Sequence, residues 1–210
     1  HMKKIITILT LLTGLWTNLF ADNNADPNMM IHYSFGNVNG KIVADESGNG
    51  YNATLYNNAT VTAMGKYMVM SLGTSSGYLD MGASAGNILK NTSDFTISIY
   101  YMVDNDASLS GNGYFLWAFS QLAANTATSS AYMTYRLNAQ RFATSTGGYN
   151  NENGVEIGSS AAKGSWHHVI YRQKAATGEL YIDGKLMATN MAMPILKGVF
   201  TTATTYNWIG

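Results

Sequence analysis

Glu152 and Glu156 are the residues that most nearly spell a reaction in this chain. Hydrolysis of a glycosidic bond needs one carboxyl as acid and a second as nucleophile or base, held a few ångströms apart by alternating positions on one strand. These two glutamates flank Asn153-Gly154-Val155, in a segment read as too rich in glycine to hold such a pair, and no catalytic residue is assigned. His167 and His168 are adjacent. On a strand their side chains point to opposite faces, so they cannot grip one metal together, and packed or hydrogen-bonded histidines are expected. No nucleophile elbow and no phosphate-binding glycine loop is assigned. The sequence has no cysteine, which excludes disulfides, thiolate metal sites and a cysteine nucleophile.

Recognition without reaction has a better footing. Tyr149, Asn150 and Asn151 lie in a glycine- and asparagine-rich stretch, just downstream of Arg136 and Arg141, two of only three arginines. An exposed ring stacks on the C–H face of a sugar, amides bond its hydroxyls, and a guanidinium fork suits hydroxyls or a uronate carboxylate. The plainer alternative makes Tyr149 a cover for a neighbouring loop and Arg136 a surface residue. Asp45 opens the run D-E-S-G-N-G, where carboxylate, hydroxyl and carbonyl oxygens are the ligands calcium takes. The same residue types also close an Asx turn that fixes a loop. Asp45 is thus a candidate for calcium or for the turn.

The elements that must position these groups read as strands. Trp166 to Tyr171 and Leu180 to Ile182 are β-branched and aromatic runs, and Asp183-Gly184 favours a two-residue hairpin turn into Lys185 to Ala188. Phe95 to Val103 alternates apolar and polar residues with period two. Further strands are expected at Met30 to Phe35, Lys41 to Ala44, Asn52 to Leu55, Lys66 to Ser71, Gly77 to Met81, Tyr114 to Ser120, Ala131 to Leu137 and Gln140 to Ala143. A short helical turn is expected over Ala83 to Lys90, and exposed loops over Gln121 to Ser130 and Thr144 to Gly158. Trp166, Phe95 and Trp117 are expected in the core.

Composition supports one domain of 210 residues with 46% hydrophobic and only 11% charged residues. Such a surface is polar through hydroxyl, amide and backbone groups, and nucleic acid is not expected as a partner. His1 ahead of Met2 reads as a cloning scar. Lys3, Lys4, the apolar run Ile5 to Phe20 and the small Ala21 read as a secretory signal peptide, so residues 1–21 are expected to be removed. A run of sixteen residues broken by Gly14 and Asn18 is short for a membrane span, and none is expected after cleavage. Residues 22–28 then form a linker and residues 29–210 the domain. Without Lys3 and Lys4, 10 of the 12 basic residues would remain against 12 acidic ones.

The order of several motifs resembles laminin-G-like, concanavalin A-like jelly rolls. These are D-x-S-G-N-G at Asp45 to Gly50, Y-L-D-M-G at Tyr78 to Gly82, F-T-I-S-I-Y-Y at Phe95 to Tyr101, W-x-H-V at Trp166 to Val169, L-Y-I-D-G-K at Leu180 to Lys185 and N-W-I-G at Asn207 to Gly210. The resemblance implies an all-β antiparallel jelly-roll β-sandwich. It also implies a secreted, periplasmic or cell-surface module that binds a polysaccharide or glycan, free-standing or attached to a polysaccharide-degrading enzyme. A structural or adhesion module that packs against neighbouring domains is the alternative. A glycoside hydrolase is a third, disfavoured because no strand carries the E-x-D-x-x-E pattern. Many relatives carry an acidic residue after the first-strand Phe, where this chain has Gly36, which removes that route to calcium. Relatives also follow the I-G strand with a D-E-x-x-I-Y-like segment. That strand is expected either in a longer protein or replaced by another segment covering its gap.

Overall fold

Period-two burial dominates the chain: in Phe95–Val103, Ile99, Tyr101 and Val103 are buried while Thr96 is exposed. The computed structural model describes residues 4–7, 28–109, 113–121 and 129–210. Its strands, in chain order, are β1 (Lys4–Thr7), β2 (Val38–Asn39), β3 (Ile42–Val43), β4 (Ala53–Tyr56), β5 (Thr60–Met64), β6 (Tyr67–Ser71), β7 (Tyr78–Asp80) and β8 (Phe95–Val103). They continue with β9 (Tyr114–Ser120), β10 (Ser130–Tyr135), β11 (Gln140–Ser145), β12 (Glu152–Ile157), β13 (Trp166–Lys174), β14 (Thr177–Ile182), β15 (Lys185–Asn190) and β16 (Tyr206–Ile209). Helices are confined to short pieces, chiefly α1 (Gly86–Lys90) and α2 (Leu196–Val199).

The strands form two antiparallel sheets. One has seven strands in the order β15-β14-β13-β8-β1-β6-β5, the other nine in the order β12-β11-β10-β9-β16-β7-β4-β3-β2. The inner faces meet in one core, as in a jelly-roll sandwich. Phe142 of β11 stacks on Tyr171 of β13 at 3.5 Å between centroids, and Trp117 of β9 leans on Phe142 at 5.5 Å. A buried polar tie crosses the same gap, with the Tyr101 hydroxyl donating to Gln140 Oε1 at 2.8 Å. The β13–β14–β15 meander follows the sequence expectation. Asp183 and Gly184 hold φ of 50° and 79°, both positive, as the hairpin turn requires.

Four expectations change. Residues 30–35 are not a strand: Tyr33 and Phe35 are buried, but the backbone is irregular and Phe35 has φ 62°. The stretch from Thr144 to Gly158 is not a free loop, because Thr144 and Ser145 end β11 and Glu152–Ile157 is an edge strand paired to it. Its glycine is a packing requirement: a Cβ on Gly154 would stand 2.7 Å from the Phe142 carbonyl oxygen. Thr60–Met64 is an additional strand, paired to β6. Trp166 is only half-buried, and strand alternation puts it with His168 and Ile170 opposite the buried Val169 and Tyr171, on the outer face of the seven-stranded sheet rather than in the core.

Within the stretch read as a leader, Lys4–Thr7 forms β1, antiparallel to both β6 and β8 and lying between them. The rest of residues 1–21 lies outside the described residues, as do linker residues 22–27 and loop residues 122–128.

Candidate functional site

The outward face of the nine-stranded sheet gathers aromatic side chains, and β16 explains how. Asn207 and Ile209 are buried, so the alternate residues Tyr206 and Trp208 face outward. Asn207 fixes the strand by donating from Nδ2 to the Gly82 carbonyl at 2.9 Å and to the Thr204 carbonyl at 3.1 Å. Trp208 contacts Tyr206 at 5.3 Å between ring centroids and Tyr78 of β7 at 4.9 Å, and Tyr78 stacks on Tyr56 of β4 at 5.1 Å and 9°. Four aromatic rings thus run unbroken across three neighbouring strands.

A second aromatic group spans β9 and β10. Phe115 meets Tyr132 of β10 edge-on at 5.4 Å, and Tyr132 meets Tyr149 at 6.4 Å. Between the groups, Ala118 pairs in register with Trp208 on one side and Tyr132 on the other, so a methyl group forms the floor between two ring systems. Two recesses result. A cleft of about 390 Å³ opens between Tyr78, Trp208, Tyr114 and Phe115 and the turn from Leu72 to Gly77. A shallower depression lies between Trp208, Tyr206, Tyr149, Tyr132 and Ser130. Phe115, Ala118 and Trp208 belong to both. Ser130 Oγ and Tyr132 Oη are buried and have no hydrogen-bond partner among the described residues.

The residues expected from sequence divide. Tyr149 is exposed on a 3-10 turn and joins the second aromatic group. Asn150 is exposed on that turn, whereas Asn151 spends its amide on the Gly147 carbonyl at 3.0 Å. Arg141 lies between Glu152 at 2.5 Å and Glu156 at 3.8 Å, which counter its charge, while burial and the neighbouring Glu156 push the Glu152 carboxyl above its ordinary pKa and its Oε1 has no partner among the described residues. Arg136 sits at the β10–β11 hairpin, where its peptide N–H donates to the Ala139 carbonyl at 2.8 Å, and it lies close enough to Arg141 for the charges to repel.

Asp45 has a clear structural role. Its carboxylate accepts the backbone N–H groups of His32 at 2.9 Å, Ser47 at 3.0 Å and Tyr51 at 2.9 Å, and the Ser47 hydroxyl at 2.8 Å. Burial raises its pKa, but these donors outweigh it and hold the carboxyl below the ordinary aspartate value. A shell of N–H donors does not fit calcium, which needs oxygen ligands. Among the described residues no group of three or more His, Asp and Glu could hold a metal.

Both histidines of β13 are satisfied. His167 Nδ1 pairs with Asp183 at 2.8 Å, and His168 Nε2 lies 2.7 Å from the Ser98 hydroxyl while its ring stacks on Tyr100. The spacing Gly-x-Ser-x-Gly does occur twice, at Gly73–Gly77 and Gly82–Gly86. The first is a turn between two strands, and the second is a 3-10 turn leading into α1. The histidines of β13 face Ser98 and Asp183, not Ser75 or Ser84.

Comparison with known proteins bears on the fold. Residues 72–210 match the family model described as the concanavalin A-like lectin/glucanases superfamily. No curated protein matches the sequence. Among solved structures, domain 4 of AbnA, a GH43 extracellular arabinanase from Geobacillus stearothermophilus in complex with arabinotriose, aligns with a TM-score of 0.62 at 13% identity, covering 86% of this chain and 82% of that one. The CBM40 of Ruminococcus gnavus IT-sialidase bound to α2,3 sialyllactose aligns with a TM-score of 0.46 at 12% identity, covering 59% of this chain and 66% of that one. Carbohydrate binding module CBM66 from Bacillus subtilis aligns with a TM-score of 0.43 at 12% identity, covering 74% and 84%.

Proposed function

Since the chain belongs to the concanavalin A-like lectin/glucanases superfamily, we propose that it is a non-catalytic carbohydrate-binding module working at the outward face of its nine-stranded sheet. Fold alone leaves lectin and glucanase open, so the proposal rests on the site. The observation that carries it is the aromatic strip Tyr56–Tyr78–Trp208–Tyr206, bordered by unpartnered hydroxyls on Ser130 and Tyr132. Rings that cover sugar C–H faces beside groups that bond hydroxyls are what a glycan needs from a protein surface. A non-catalytic role is supported by Glu152 and Glu156, which bracket Arg141 instead of facing each other across an open cleft.

The leader-like start supports export to the periplasm, the cell surface or the medium, where the module acts alone or beside a polysaccharide-degrading domain. Among the described residues no helix is long and apolar enough to cross a membrane. A glycan array tests the reading, and Trp208→Ala should abolish whatever signal wild type gives. Wild type binding no glycan would favour a structural or adhesion module instead, and reducing sugar released from a polysaccharide would favour a hydrolase.

A further inference from the structure

We infer that the ligand is an uncharged saccharide chain of several units lying across the strands, from the cleft beside Tyr78 and Trp208 to the depression over Tyr132 and Ser130. This rests on the carbohydrate-binding reading above and names the ligand class of the same site. Three observations carry it.

The first is continuity. Trp208, Ala118 and Phe115 wall both recesses, so the cleft and the much smaller depression adjoin across a methyl group. Trp208 and Tyr132 stand on strands separated by β9, two lanes or about 10 Å apart, and Tyr56 lies two lanes further the other way. A single sugar ring cannot touch both ends of such a path, whereas a chain can.

The second is charge. Among the described residues that line the two recesses none is charged. The nearest cation along β11, Arg141, is countered by Glu152 and Glu156, and Asp80, paired in register with Trp208, turns Oδ1 to the Gly82 N–H at 2.8 Å. A uronate or sialate carboxylate entering this path would lose hydration and meet no cation among the lining residues, and Arg136, whose backbone abuts Gly113 at the cleft, has its Nε buried.

The third is the pair of unspent hydroxyls. Tyr132 is 2% and Ser130 3% exposed, and a buried hydroxyl without a partner is costly unless something else supplies one. Both residues line the depression with their oxygens covered, so a glycan reaches them only where the depression opens, and there each can donate to and accept from a sugar hydroxyl.

The test is calorimetry of the full chain against neutral gluco- and xylo-oligosaccharides of one to six units and against oligogalacturonides of the same lengths. Affinity for a neutral series should rise with length and level off beyond three or four units. Tyr132→Phe, which keeps the ring and removes only the hydroxyl, should weaken binding about five- to tenfold, as should Ser130→Ala. Circular dichroism spectra matching wild type would show that both variants fold. Preference for oligogalacturonides, equal affinity for one unit and six, or no effect of either variant would overturn this inference and leave the module reading in place. Binding of none of the three series, with only charged glycans bound on the array, would overturn the ligand class alone, whereas another neutral chain bound there would uphold it. Silence on the array as well would overturn both.

Discussion

Asp45 shows how one side chain can look like a metal ligand in sequence and act as a knot in the fold. Its carboxylate gathers donors from residues 32, 47 and 51, holding the irregular segment around Tyr33 against the loop that ends at Gly50. Asp45→Ala should therefore cost about 1.5–3 kcal/mol by chemical denaturation, because several donors to a charged acceptor lose it together. Neither calcium nor a chelator should move the wild-type melting temperature, and a rise of several degrees with calcium would count against the knot as its role. The pH dependence follows from three groups. Asp45 and Asp183 are buried in part, yet the donors around each lower its pKa, so the stability they contribute is complete above the unfolded value of about 4 and is lost as pH falls through their folded values. His168 is lowered by burial against the pull of Asp183, so the fold prefers it neutral, and that contribution is complete above about 6.5 and begins to be lost below. Melting temperature should thus fall in two stages on acidification, and His168→Gln should remove the first.

At the scale of elements, β16 positions the site and β1 closes the sheet. Asn207 ties β16 to Gly82, 125 residues away in sequence, and sets which residues of the strand face out. Asn207→Leu should lower stability by about 1–3 kcal/mol, since it leaves buried carbonyls unbonded, and should weaken glycan binding by displacing Trp208. Tryptophan fluorescence together with calorimetry reads both effects. β1 fills the lane between β6 and β8, pairing Ile5 with Ser71 and Met102, and Ile6 with Met70 and Tyr101. A chain starting at residue 22, the one that leader removal would leave, presents two strand edges in mid-sheet unless another segment takes the lane, and unpaired backbone there favours association. It should melt lower than the full chain and bind an exposed-hydrophobe dye. Equal melting temperatures and no dye binding would show that the lane does not depend on residues 4–7. In the full chain, Ile6→Pro should reproduce part of the loss by removing a ladder donor.

For the whole molecule, low charge is the governing property. Only 11% of residues are charged, with equal formal numbers of each sign, and the proposed path has no charged lining among the described residues. Affinity for a neutral glycan should change less than twofold between about 50 and 500 mM salt, because screening acts only on charge interactions. A steep fall with salt would point instead to Arg136 or Arg141 as the contact. Architecture also explains why aromatic side chains gather on one outward face. The inner faces of both sheets are spent on the core, so outward aromatic residues on strands become a rigid platform while loops shape its borders.

What the sequence determined by itself was the class of fold and much of its order. Period-two runs such as Phe95 to Val103 and the Asp183-Gly184 turn are local signals, set by backbone geometry and by which side chains can be buried together. The laminin-G-like motif order supplied the sandwich, and the family match over residues 72–210 agrees with it. The exposure of Tyr149 was legible, because an aromatic ring among glycines has no packing pattern. The rest of the platform was not. Tyr56, Tyr78, Tyr132, Tyr206 and Trp208 sit in apolar strands where a ring reads as core, and a usable signal was their phase, opposite to Leu55, Leu79, Met133 and Ile209. Only the tertiary structure decided that these residues, spread over 153 positions from Tyr56 to Trp208, share one face, because ladder register between distant strands is a long-range property. The same holds for Arg141: in sequence it could offer a guanidinium fork to hydroxyls or a uronate, and pairing of β12 with β11 placed two carboxylates against it.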